Sequence, residues 1–223
     1  MSEPCRLCHN NDTVSFAKTN NRDYVRCDTC KLVFVSQPQL PDLETEWAEY
    51  RLHHNDPNDQ RYRAHLAKLT MPLVADLPQT AKGLDFGCGP GPTISVMLGE
   101  QGYEVADYDP AFYADKTLLQ RQYDFIACTE VVEHFHNPAR DFALLAGLLK
   151  PGGRLGVMTQ LRSDEIEFES WYYAREISHV AFYSTATMAW VGERFGWWVE
   201  MLGKDVVVFE TPSPRKGEGR DGG

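Results

Sequence analysis

Apolar residues follow two different rhythms along this chain. Between Ala81 and about Glu210, short runs such as Leu84–Phe86, Tyr123–Cys128 and Arg154–Thr159 have the length of buried strands. Between them lie stretches whose apolar positions fall three and four apart, as at Phe142, Leu145, Leu148 and Leu149. The first rhythm is that of strands in a sheet and the second that of helices covering it. Their alternation predicts an α/β domain over 81–210: a Rossmann-like, mostly parallel sheet with helices on both faces. Residues 37–80 open with a proline-marked stretch and carry helical patterns near Leu43–Leu52 and Gln60–Leu77, a helical connector or lid. Residues 1–36 show only short strand-like runs, Val14–Lys18, Tyr24–Arg26 and Lys31–Val35. The stretch 211–223, TPSPRKGEGRDGG, is rich in Pro, Gly and charge and is expected to be disordered.

Cysteine changes the picture of the first segment. Cys5 and Cys8 form one CxxC pair, Cys27 and Cys30 a second, with eighteen residues between the pairs. That spacing fits a small four-thiolate zinc ribbon, in which each pair turns both sulfurs to one side and a hairpin brings the pairs together. Four thiolates leave no open coordination position, so the zinc is structural. The glycine that often follows such a pair is absent; His9 and Lys31 stand there.

Charge and length bound the function. The 223 residues carry a net charge of −10, which argues against broad binding to phosphate backbones, and Arg22, Arg26 and Lys31 are too few for a basic stripe. No apolar run is long enough to span a membrane and no secretory pattern opens the chain, so a cytoplasmic location with reduced thiols is expected.

The segment Gly83-Leu-Asp-Phe-Gly-Cys-Gly-Pro-Gly-Pro92 carries the chemistry. A strand ends in a tight glycine turn that opens a helix, so a ligand can approach the backbone closely. The glycines run G-x-G-x-G, unlike the spacing of nicotinamide binders. The next strand, Tyr103–Asp109, ends in an acid about twenty residues further on, where a carboxylate can accept from ribose hydroxyls. Asp109 is better placed for this than Asp107, because it is last before Pro110. A further strand, Tyr123–Cys128, leads into Thr129-Glu-Val-Val-Glu-His134, and Lys150-Pro-Gly-Gly153 turns into the following strand.

LDFGCGPGP, YEVADYDP, YDFIACTEVVEH and LLKPGGRLGVMT, in this order, resemble the class I S-adenosylmethionine (SAM)-dependent methyltransferase family, over roughly residues 60–210. The whole chain is similar to a bacterial subgroup with a zinc ribbon ahead of the catalytic domain, a subgroup that includes sugar C-methyltransferases. The resemblance implies that Asp85, Gly87, Cys88, Gly89 and Gly91 cradle the cofactor, that Asp109 holds its ribose, and that Thr129 and Glu130 line the cleft. It implies acceptor contacts from His179 and Tyr183. Glu133 and His134, past the fourth strand, are the candidate catalytic residues, with His134 able to accept a proton near neutral pH. Only thirteen residues separate Asp109 from Tyr123, too few for the usual third strand and adenine loop; Phe112 or Tyr113 could meet the purine. The expected activity is methyl transfer to a small metabolite or sugar-like acceptor. Two other readings stay open at this point: an RNA or protein methyltransferase gripping its substrate with the ribbon, and a non-enzymatic module that senses SAM or S-adenosylhomocysteine (SAH).

Overall fold

The computed structural model describes residues 3–51 and 55–213. Three strands lead the chain: β1 (Thr13–Thr19), β2 (Arg22–Cys27) and β3 (Val33–Val35). Two helices follow, α1 (Leu43–Tyr50) and α2 (Gln60–Val74). Asp42 and Asp59 cap them, each accepting from backbone N–H groups of the first turn, which satisfies donors the helix itself leaves open.

The second part runs β4 (Lys82–Phe86), α3 (Thr93–Gly99), β5 (Glu104–Tyr108), β6 (Tyr123–Thr129), α4 (Pro138–Leu148), β7 (Leu149–Met158), β8 (Ala181–Phe182), α5 (Thr185–Phe195), β9 (Trp198–Leu202) and β10 (Val206–Glu210). Six of these strands form one sheet in the order β5-β4-β6-β7-β10-β9. The first four are parallel, and β10 is antiparallel to both its neighbours. No strand lies outside β5 among the described residues, as the short Asp109–Tyr123 interval requires; a single 3-10 turn, Lys116–Gln120, fills the gap.

Burial explains why the sheet is covered twice. Along β6, Phe125 and Ala127 face one layer while Ile126 and Cys128 face the other, the two-residue period of a strand. Leu66, Leu69 and Leu73 of α2, with Ile94 and Leu98 of α3, fill the first layer. Phe142 and Leu145 of α4, with Met188 and Val191 of α5, fill the second. Gly156 lets α2 lie this close, since a Cβ there would meet Leu69 Cδ1 at 2.7 Å.

Three features are not apparent from the sequence pattern. The Lys150–Gly153 turn is absorbed into β7 as an irregularity, with Leu149 paired to Tyr123 and Arg154 to Phe125. The sheet ends in a two-stranded hairpin, with Trp198, 75% exposed, opening the edge strand β9. The leading strands also pair with a later part of the chain. β8 adds to them as β1-β2-β3-β8, with Val33 opposite Phe182 and Phe34 opposite Ala181. Leu7, Leu32 and Phe34 join the same core as Phe142 and Tyr183. The interval 52–54, inside the expected connector, and 214–223, most of the expected tail, lie outside the described residues.

Candidate functional site

At the carboxyl ends of β4, β5 and β6 the chain opens a cleft of about 800 Å³. This edge is where open α/β sheets bind ligands. The glycine turn forms its floor: Gly87 and Gly89 have φ of 80° and 64°, a conformation side chains resist. At Gly87 a Cβ would also strike Val131 Cγ2 at 2.3 Å. Asp85, Gly87, Cys88, Gly89, Asp109, Thr129 and Glu130 all line the cleft, together with His134 and His179. Gly91 does not; the backbone carbonyl of Asn55 lies where its Cβ would project, so this glycine serves the approach of the connector.

Asp109 sits one residue past β5. Its Oδ2 accepts from the Gly89 N–H at 3.1 Å, and its Oδ1 accepts from Ala111 and Phe112 at 2.8 and 3.1 Å. The carboxylate thus fastens the glycine turn to the next loop and still faces the cleft. Asp107 points elsewhere, accepting from Ser95 Oγ at 3.0 Å. Phe112 borders the cleft, while Tyr113 pairs its backbone with that of Asp109. Burial, followed by the charges of Asp107 and Asp109, pushes the Asp85 carboxyl well up. Thr129 Oγ1 is buried with no protein partner among the described residues, an open polar position in the wall.

The opposite wall comes from residues sequence reasoning did not single out. Trp47, Tyr50, Asn55, Tyr62 and His65 of the connector line the cleft. Their only signal in the sequence was an aromatic-bearing helical stretch, which core packing explains equally well. His134 rests between rings, edge-on to Tyr50 at 5.3 Å and to His179 at 4.9 Å. Its Nδ1 faces the Ser178 carbonyl at 3.0 Å, so that nitrogen carries the proton and Nε2 is the basic one. Burial pushes its pKa down from the ordinary value, keeping the ring neutral at pH 7.

Two predicted contacts are corrected. Glu133 is fully buried behind the wall, accepting from Tyr173 Oη at 2.6 Å and Thr159 Oγ1 at 3.0 Å, and does not line the cleft. Tyr183 is also fully buried, donating to the Val132 carbonyl at 2.9 Å, a core position immediately after β8. Arg175 and Arg162 do not line the cleft; they donate to the Ser170 carbonyl and to Asp164.

Glu130, not Glu133, is the carboxyl at the cleft. It holds a left-handed backbone, φ 52°, and its Oε2 lies 3.0 Å from Tyr173 Oη. Burial and the adjacent Glu133 push it up to about 8. The Tyr173 hydroxyl bridges the two carboxyls, as donor to Glu133 Oε1 at 2.6 Å and to Glu130 Oε2 at the longer distance. Because folding raises this pKa, the stabilisation is complete at pH values below the ordinary carboxyl range and is lost as pH climbs through about 8. Glu130→Gln is expected to remove most of that decline. At pH 9 it should be more stable than the parent by about 1–3 kcal/mol, and at pH 5 nearly equal, as urea midpoints at the two pH values would show.

At the other end of the chain, Cys5 and Cys30 Sγ stand 3.4 Å apart, as do Cys8 and Cys27. All four sulfurs lie within 4.8 Å of one another. These separations are too long for disulfides and near the ~3.8 Å edge of a tetrahedron with ~2.3 Å metal–sulfur bonds. His9 and Lys31 adopt φ of 60° and 63°, and their N–H groups bond to the carbonyls of Cys5 and Cys27. Each knuckle therefore makes the glycine-type turn without glycine, at roughly 1 kcal/mol of strain per site.

A mostly parallel sheet, a glycine turn, an acid one strand further on and a cleft at the strand ends are the features of the SAM-dependent methyltransferase fold. The chain belongs to the methyltransferase domain family, whose model matches residues 58–201. It is similar to a ubiquinone biosynthesis O-methyltransferase of Xylella fastidiosa, 37% identical over 35% of this chain and 42% of that protein. The chain thus spans less than half the length of the curated relatives it matches. A Burkholderia thailandensis 1,6-didemethyltoxoflavin-N1-methyltransferase, solved with its substrate and SAH, superposes with TM-score 0.55 at 13% identity, over 90% of this chain and 99% of that one. A methyltransferase of calicheamicin biosynthesis in SAH-bound form does so at 0.50 with 14% identity, over 77% and 59%. At such identity these two show the fold. No helix among the described residues is long and apolar enough to cross a membrane.

Proposed function

We propose that this chain transfers the methyl group of SAM to an oxygen of a small, partly apolar acceptor, with His134 as the general base. The observation that carries this reading is the placement of a neutral, tautomer-locked imidazole in the same cleft as the glycine turn and Asp109. When bound, SAM supplies an activated methyl on a positively charged sulfur. The residues present suit it: Asp85, Asp109 and Glu130 border the cleft, and Thr129 Oγ1 offers an unused hydrogen-bonding position. Asp109 would hold the ribose, and the turn of Gly87 and Gly89 would lie beneath the methionine part.

His134 would take the acceptor proton at Nε2 while Ser178 holds its other nitrogen. His179 would orient the acceptor from the facing wall, its Nδ1 donating to the Tyr173 carbonyl at 2.8 Å. Aromatic groups of α1 and α2 exclude water from the reacting atoms. A cleft of about 800 Å³ suits a nucleoside cofactor plus a compact acceptor. The curated relatives' names point to oxygen as the methylated atom. The acids that border the cleft and the burial of Arg22 argue against a nucleic-acid acceptor. The four thiolates would hold a structural zinc.

Calorimetric titration with SAM and SAH tests the cofactor half. Asp109→Ala is expected to weaken both by about 1–3 kcal/mol, because a charged acceptor is lost and the glycine turn loses its anchor. Unchanged affinity would remove Asp109 from the site. Screening hydroxylated small molecules for SAH release tests the acceptor half.

A further inference from the structure

The loop that carries Tyr173 and His179 has little regular structure of its own beyond short 3-10 turns at Phe168–Ser170 and Tyr172–Ala174. Its carbonyls converge on one side chain from the leading strands. Arg22, 7% exposed, donates through Nη1 to the carbonyls of Ile177 at 3.0 Å and His179 at 3.1 Å. Through Nη2 it donates to Ala174 at 2.7 Å and Glu176 at 2.9 Å. Its guanidinium lies over the Tyr24 ring, and the Tyr24 hydroxyl donates to the Ala174 carbonyl at 2.9 Å. Arg6, inside the first cysteine knuckle, repeats the device. It donates to Val180 at 3.0 Å, Val35 at 2.9 Å and His136 at 3.1 Å. Only a planar group with several fixed N–H donors can serve so many carbonyls at once.

We infer that Arg22 is a positioning residue for the acceptor side of the cleft, and that the cysteine-bearing segment is an internal scaffold for that wall. The inference rests on the methyltransferase reading only for what the wall receives. The cofactor side, β4 to β6 with the glycine turn, makes none of these bonds. Loss of Arg22 therefore loosens residues 172–183 and releases His179 from its single tautomer, while the cofactor floor stays intact.

The test compares the metal-loaded full chain with its Arg22→Ala and Arg22→Lys variants. Hydrogen exchange is read across the chain, the His179 tautomer by nitrogen NMR, metal content by elemental analysis, and SAH affinity by calorimetry. Arg22→Ala is expected to speed exchange of 174–180 amides at least tenfold and to mix the His179 tautomers. Its metal content and SAH affinity should stay within twofold of the parent. Arg22→Lys keeps the charge but can reach three carbonyls at most, so it should give an intermediate acceleration; it also serves if the alanine variant does not fold. Unchanged exchange and tautomer in both variants would overturn the inference. So would equal acceleration across 82–129 or a tenfold loss of SAH affinity in Arg22→Lys, since Arg22 would then hold the fold in general. Absence of SAH binding by the parent would instead overturn the cofactor reading, because the exchange comparison needs no ligand.

Discussion

Replacing His134 by alanine is expected to lower turnover by about 10²–10⁴-fold while leaving SAH affinity within a factor of two. The cofactor floor contains none of its hydrogen bonds; its Nδ1 goes to Ser178, and its ring packs against Tyr50 and His179. Burial keeps the ring neutral, so the parent should hold full turnover at neutral pH and lose it on an acid limb below the ordinary histidine value of about 6.5. That limb should vanish in the variant. Initial rates of SAH release from pH 5 to 9, with whichever acceptor the screen identifies, check both points. Normal turnover in His134→Ala would leave His134 a wall residue.

The second large effect concerns the cysteines. Cys27→Ser is expected to abolish stoichiometric metal and to cost more than the folding of the first 36 residues. Cys27, Leu32 and Phe34 are fully buried in the same core as Phe142 and Tyr183, and β3 is the hydrogen-bonded neighbour of β8. Losing the metal should expose that seam, so amide protection should fall at 166–183 as well as at 5–35. A structural zinc contributes apparent binding free energy of about 10–16 kcal/mol in isolated ribbons, enough to decide whether such a small unit folds. Elemental analysis with hydrogen exchange checks this. Full metal content in the variant would contradict it, and loss confined to 5–35 would show the seam to be self-supporting.

The parts legible in sequence are those with local causes. The glycine turn, the acid at Asp109 and the paired cysteines sit within a few residues of what they act on, so spacing alone marks them. The continuous burial of β6 from Phe125 to Cys128 also shows directly in its apolar run. What escaped depends on distant partners. Glu133 and Glu130 lie three apart and look equivalent in sequence; only Tyr173 and Thr159, from other parts of the chain, show that one is sealed and the other faces the cleft. His179 and Tyr183 differ in the same way, since β8 intervenes and turns the tyrosine to the core. Arg22 stood out in sequence only as one of three basic residues too few for a stripe, because its four carbonyl partners lie more than 150 residues away. Tyr50 and Tyr62 carried nothing to distinguish a cleft wall from helix packing.

The β3–β8 pairing has a consequence for biosynthesis. Val33 meets Phe182 across 149 positions of chain. At about 5–20 residues per second, the partner leaves the ribosome roughly 7–30 s after β3 does. Throughout that interval the three leading strands present an open edge to other nascent chains, with Val33, Phe34 and Val35 uncovered. The cysteine pairs are complete within the first 30 residues, so metal capture can precede the pairing and hold the strands in register. Zinc supply during translation would then govern the yield of native protein more strongly than zinc supply afterwards.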